Sequence, residues 1–167
     1  MFVIKRFTIL ADHVEDRLRM NAVDEAGVTL SILLTRRLLD RFLPLLTQHV
    51  EAQVNRVVPV GLSLSMAQLK LRQERQQNPC RPVSAPREGE TWLCVKMRLI
   101  PHNEGGIWAL MGTEGQEVRM LLNDTHARAV LDVFHGKYLA MEWGCEKFPE
   151  WVADTANQAV SPQAVMH

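Results

Sequence analysis

The residues best suited to chemistry stand at the start of a predicted helix. Thr35, Arg36 and Arg37 are followed about one turn later by Arg41. Two cations in a first helical turn oppose the positive end of the helix dipole. That opposition is relieved if an anion docks on the free N–H groups and the guanidiniums close around it. Thr35, Arg36, Arg37 and Arg41 are therefore a candidate site for a phosphate, a nucleic-acid backbone or a partner's carboxylate. The alternative is that Asp40, or an acid of the Asp24-Glu25 turn, pairs with these arginines as an ordinary surface ion pair. A second candidate set is Arg6, Arg17, Arg19, Lys96 and Arg98, which strand alternation places, with Thr8, opposite the core parity. With Trp92 or Trp108 nearby, such a face would bind single-stranded nucleic acid by charge and stacking. A solvated outer face of an antiparallel sheet has the same sequence pattern.

Other chemistries find little support. Cys80, Cys94 and Cys145 are odd in number and form no CxxC pair, against a disulfide framework or a cysteine-rich zinc site. Reduced thiols and a cytoplasmic location are the expectation. Cys94 reads as lying opposite the core parity, and neither it nor Cys145 has a catalytic context. The six histidines include no HExxH or HxH. His13 and His102 both fall in the turn after the first strand of a unit, too few ligands for a closed metal site. No Walker lysine, GxGxxG or GxSxG elbow is present, and no cofactor is implied. Nineteen basic and nineteen acidic residues give zero net charge. That lowers the expectation of a dedicated duplex-DNA binder and leaves little repulsion between copies. The first residues lack the order of a signal peptide, and no apolar run reaches membrane-spanning length.

The elements that would position these residues follow from periodicity. Residues 2–10 read as one strand, with Val3, Phe7 and Ile9 inward. Arg17 to Val23 alternates, and Asp24 to Gly27 is a hairpin turn before a strand from Val28 to Leu34. Thr35 is a helix N-cap. The helix runs to about Val54, with Leu38, Phe42, Leu45, Leu46 and His49 as its buried stripe and a kink or restart expected at Pro44. Ser63 to Gln77 is a short helix with Met66 and Leu69 on one face and Arg72 and Arg75 outside. A proline-rich connector over 78–90 is either mobile or wraps the surface. Trp92 to Ile100 then reads as one strand, with Leu93, Val95, Met97 and Leu99 inward. Ile107 to Met111 and Val118 to Leu122 are strands, with Gly115 in the turn between them. Asn123 caps a helix carrying Ala127, Val130, Leu131 and Phe134, with Gly136 after its C-cap. Lys137 to Trp143 reads as a last strand, and Pro149 to Asp154 as a helical turn docking Trp151.

The two halves read alike. Gly27 matches Gly115, Leu33 and Leu34 match Leu121 and Leu122, and the cap Thr35 matches Asn123. The fold class is therefore α+β, built from tandem βββα units, with antiparallel sheet or sheets and the two long helices packed on one face. Residues 1–155 form one domain: unit one over 1–55, a connector with the short helix over 56–90 and unit two over 91–146. A disordered tail is expected over 156–167. This two-unit, strands-then-helix layout resembles that of the PUR and whirly types of single-strand nucleic-acid-binding proteins. Their units carry four strands where three are legible here, and the likeness assigns no functional residue. The functional expectation is a non-catalytic binding or scaffold protein, self-associating as a homodimer through spare surface on the first long helix. The alternative is a single-stranded nucleic-acid-binding module using the basic sheet face.

Overall fold

The computed structural model describes residues 1–54, 60–84 and 89–154. The predicted tail over 156–167, and residues 55–59 and 85–88 of the connector, lie outside them. The first unit is β1 (Phe2–Val3), β2 (Arg6–Asp12), β3 (Arg17–Val23), β4 (Thr29–Thr35) and helix α1 (Arg36–Ala52). After α2 (Val60–Gln77), the second is β5 (Thr91–Leu93), β6 (Lys96–His102), β7 (Gly105–Met111), β8 (Glu117–Leu122) and α3 (Asp124–Ala140). The fold is α+β, with the strands-then-helix unit used twice. The matching punctuation is in place. Gly27 and Gly115 sit at φ 84° and 79° in the two hairpin turns, where a side chain would be strained. Thr35 Oγ1 accepts from the Leu38 amide at 3.3 Å, and Asn123 Oδ1 from the His126 amide at 2.8 Å.

Each unit has four strands, because the first predicted strand of each is broken in two. The Ile4 amide donates to the Arg119 carbonyl in one sheet, and the next amide, of Lys5, donates to Val23 in the other. The Cys94 amide donates to Leu33, and that of Val95 to Met111, in the reverse exchange. One mixed sheet therefore runs β2-β3-β4-β5 and the other β1-β8-β7-β6. Each unit lends its first short strand, in parallel pairing, to the other unit's sheet. The break also reverses the side-chain parity. Val3, Leu93 and Val95 are exposed, contrary to expectation, while Ile4, Trp92 and Cys94 are core.

Three helix expectations change. α1 runs through Pro44 as one helix, and its buried stripe is Leu39, Phe42, Leu43, Leu46 and Val50, leaving Leu45 exposed. It faces strands on both sides, packing on β4 and on β6 of the other sheet, so its stripe is rotated toward the interior. α3 continues through Gly136 to Ala140, so residues 137–140 are helix and not strand; the left-handed residue beyond its end is Glu142. On α2 the buried positions are Leu64, Gln68, Leu71 and Arg72, while Met66 is exposed. Residues 150–154 do form a helical turn, and Trp151 Nε1 donates to Glu51 Oε1 at 3.1 Å.

A single apolar core joins both sheets and both long helices. Its centre is Trp108, fully buried on β7. Phe42 of α1 stacks on its indole at 5.4 Å, and Phe7 of β2 and Phe134 of α3 meet it edge-on at 6.1 Å. Trp108→Ala is expected to cost about 3–5 kcal/mol, the range for removing a large buried aromatic. Trp108→Phe should cost less, because it keeps ring contact and removes an indole N–H that has no partner among the described residues. Urea unfolding of the two variants checks the order; equal losses would show that the ring cluster is not what holds the layers.

Candidate basic groove

A groove of about 670 Å³ lies at the outer edge of β2. One wall is Lys5 to Ile9. The others come from the end of α2, from residues 78–82 and from the α3 face carrying His126, Val130, Val133 and Lys137. Among the described residues Lys5, Arg6, Arg72, Arg75, Arg81 and Lys137 line it against a single acid, Asp132.

Arg72 and Asp132 fix the groove's inner end. Arg72 is 8% exposed, unlike the outer-face residue that helical spacing implied. Its Nε donates to Asp132 Oδ1 at 2.5 Å and its Nη2 to the Val152 carbonyl at 2.9 Å. Arg75 Nη1 holds the other oxygen, Oδ2, at 2.8 Å. A buried guanidinium is tolerable only with such charge-assisted partners. Behind the pair lies His135, buried edge-on against Phe148. Its pKa is lowered, first by burial and then by the Arg72 charge, with Asp132 opposing; the buried ring is thus biased to the neutral form. At the rim, Lys5 is engaged by Glu25. Arg6, Arg81 and Lys137 make no ion pair among the described residues.

A smaller cleft of about 190 Å³ occupies the matching place in the other unit. Leu38, Arg41, Phe42 and Leu45 of α1 there face Val95, Lys96 and Met97 at the start of β6. The unit equivalence maps these onto His126, Ala129, Val130 and Val133 of α3 and onto Lys5, Arg6 and Phe7. The large groove is the same helix-to-strand cleft, walled in by α2 and residues 78–82.

The sequence-predicted residues are dispersed. Arg36 Nε lies 3.6 Å from Asp40 Oδ2, the ordinary ion pair weighed as the alternative. Asp40 also accepts from Tyr138 Oη at 2.8 Å, tying α3 to α1. Burial and that hydrogen bond hold the Tyr138 phenol well above its usual pKa. The Thr35 hydroxyl is spent on the cap. Among the described residues Arg37 makes no ion pair, and Arg41 and Lys96 both line the small cleft. The basic sheet face is divided: Arg6, Arg17 and Arg19 lie on the first sheet, Lys96 and Arg98 on the second. Arg17 pairs with Glu15. The connector crosses the first sheet's outer face between Arg6 and Arg19. The Val83 amide donates to Thr8 Oγ1, Asn21 Nδ2 to the Val83 carbonyl, and the Ser31 hydroxyl to Asn21 Oδ1. Trp92 and Trp108 are core residues rather than stacking surfaces. Cys94 is buried, against its expected parity, and burial raises its pKa. Of both candidate sets, only Arg6 enters the large groove. Among the described residues no group of metal-ligating side chains gathers, and no helix is long and apolar enough to cross a membrane.

The class defined here is an α+β protein of two strand-exchanged four-strand sheets with one basic edge groove. No family model, curated protein or solved structure matches the chain.

Removing Asp132 should be costly, because the buried Arg72 charge would lose its carboxylate. Asp132→Leu is expected to destabilise by about 3–5 kcal/mol, and adding Arg72→Met should recover much of it. A double-mutant cycle by denaturant unfolding measures this; no recovery would mean the pair is not coupled.

Proposed function

We propose that this is a non-catalytic binding protein whose ligand is anionic and sits in the groove at β2. The supporting observation is the charge balance: among the described residues Arg6, Arg81 and Lys137 line the groove without ion pairs, while the one lining acid, Asp132, is held by Arg72 and Arg75. Cations focused in a concave, partly apolar site raise the local concentration of an anion. Single-stranded nucleic acid belongs to this ligand class. Burial of Trp92 and Trp108, and the connector across the first sheet, weigh against a nucleic-acid site on the sheet faces. Inorganic polyphosphate is a suitable first probe. Arg81→Glu with Lys137→Glu should weaken its binding at least about tenfold, equivalent to about 1.4 kcal/mol, whereas Lys96→Glu should not. Calorimetric titration decides; equal affinities for all three proteins would remove the groove as the site.

Self-association is a second reading, now resting on a different surface. α1 buries its apolar stripe within the chain. The outer face of the first sheet carries a row in register, Leu10, Arg19, Leu33 and Leu93, with Leu10 44% and Leu93 39% exposed. A two-copy contact through this row would cover apolar surface that a monomer leaves in water. Sedimentation at tens of micromolar, about the range in which a specific interface holds, should give a dimer that Leu10→Arg converts to monomer. A wild-type monomer at that concentration would eliminate the homodimer.

A further inference from the structure

The groove runs along a strand edge, and this narrows the ligand. Five consecutive residues, Lys5 to Ile9, line one wall. Alternate side chains of a strand point to opposite faces. An unbroken run can therefore line one cavity only where the cavity lies along the strand's edge, beside the main chain. β2 is the end strand of its sheet and is paired only with β3. Among the described residues no main chain outside β3 bonds to the backbone of residues 6–12. The nearest segment, at Val83, reaches the Thr8 hydroxyl and not the backbone. The groove thus offers unpaired peptide groups, and a free edge is a template for a further strand.

We propose that the groove receives an extended acidic peptide segment of a protein partner, which adds to β2 as an outer strand. The proposal rests on the anion-binding reading and names the ligand. The free cations Arg6, Arg81 and Lys137 would meet carboxylates of one parity. Met120, Val130, Val133 and the two prolines of the 78–82 wall would take apolar side chains of the other parity. At about 3.4 Å per residue the five-residue wall spans about 17 Å, enough for a short motif. Charge selects against a second copy at this edge, since pairing β2 with itself would bring two sets of these cations together. A nucleic-acid strand would forgo the main-chain groups and find little to stack on, as Phe7 is committed to the Trp108 cluster. The matching β6 cleft lacks the α2 wall and is less than a third of the volume.

The test uses the full chain and a soluble peptide of alternating valine and glutamate. Two isomers carry N-methyl groups on alternate residues, one on the valines and one on the glutamates. All have the same charge, but each methylated peptide loses the hydrogen-bonding edge of one parity. The plain peptide should bind, and one isomer should lose at least about tenfold while the other retains affinity. Hydrogen exchange at β2 amides should slow on binding, and Arg81→Glu with Lys137→Glu should weaken the plain peptide. Equal binding of all three peptides overturns strand addition. Binding of polyphosphate or a single-stranded oligonucleotide but of no peptide also overturns it, and leaves the anion-binding reading standing. Failure of every probe removes both.

Discussion

Four layers of this molecule meet on one indole. Trp108 comes from the middle of the second sheet, Phe7 from the edge strand of the first, Phe42 from α1 and Phe134 from α3. Neither sheet could bury its inner face alone, and α1 and α3 each pack on strands of both sheets. Aromatic contacts at 5.4–6.1 Å in stacked and edge-on arrangements suit the ring quadrupoles and fix the layers' relative placement. The groove depends on this junction directly. Phe7 is both a wall residue of the groove and a member of the cluster, so the position of the free β2 edge is set by core packing.

The second constraint is the exchange of first strands. Consecutive amides, Ile4 and Lys5 in one unit and Cys94 and Val95 in the other, bond into different sheets. Such a crossing needs a local change of direction, and it reverses which parity is buried. Sequence alternation could not reveal it. Val3 and Leu93 are apolar enough to read as core, and their neighbours Ile4 and Trp92 are equally so. A pattern apolar at both parities is compatible with an unbroken strand as well as a broken one. The turns and caps were legible for the opposite reason. Gly27 and Gly115 answer a steric requirement at one position, and Thr35 and Asn123 each satisfy a helix N-terminal amide three residues on. Such local rules survive tertiary context.

The site was far less legible. Strand alternation places Arg6 on a sheet face and says nothing of the strand edge, where the groove lies. Arg72 read as a solvated residue because a helix's outer face is usually where arginine goes. What draws it inward is Asp132, which is distant along the chain and carries no motif. The glycine before Lys137 reads as a helix end and puts Lys137 in a strand, yet the helix tolerates Gly136 and carries Lys137 to the groove's rim. Charge pairs between remote segments leave no periodic trace, so the convergence could be found only in three dimensions.

The difference between the two halves now has a physical meaning. The two similar units supply two equivalent clefts between a helix and a strand start, one with Lys96 and one with Arg6 at matching positions. Only the β2 cleft gains a further wall, because α2 and residues 78–82 line it, pinned by Arg72 to Asp132 and by Val83 to Thr8. These pins also place cations, since the segment that closes the wall brings Arg75 and Arg81 with it. Added cations and the larger volume therefore come from the same segment between the two units. The two clefts are alike in placement and unequal in volume, and the segment that breaks the symmetry is the one that widens the β2 cleft and adds cations to it.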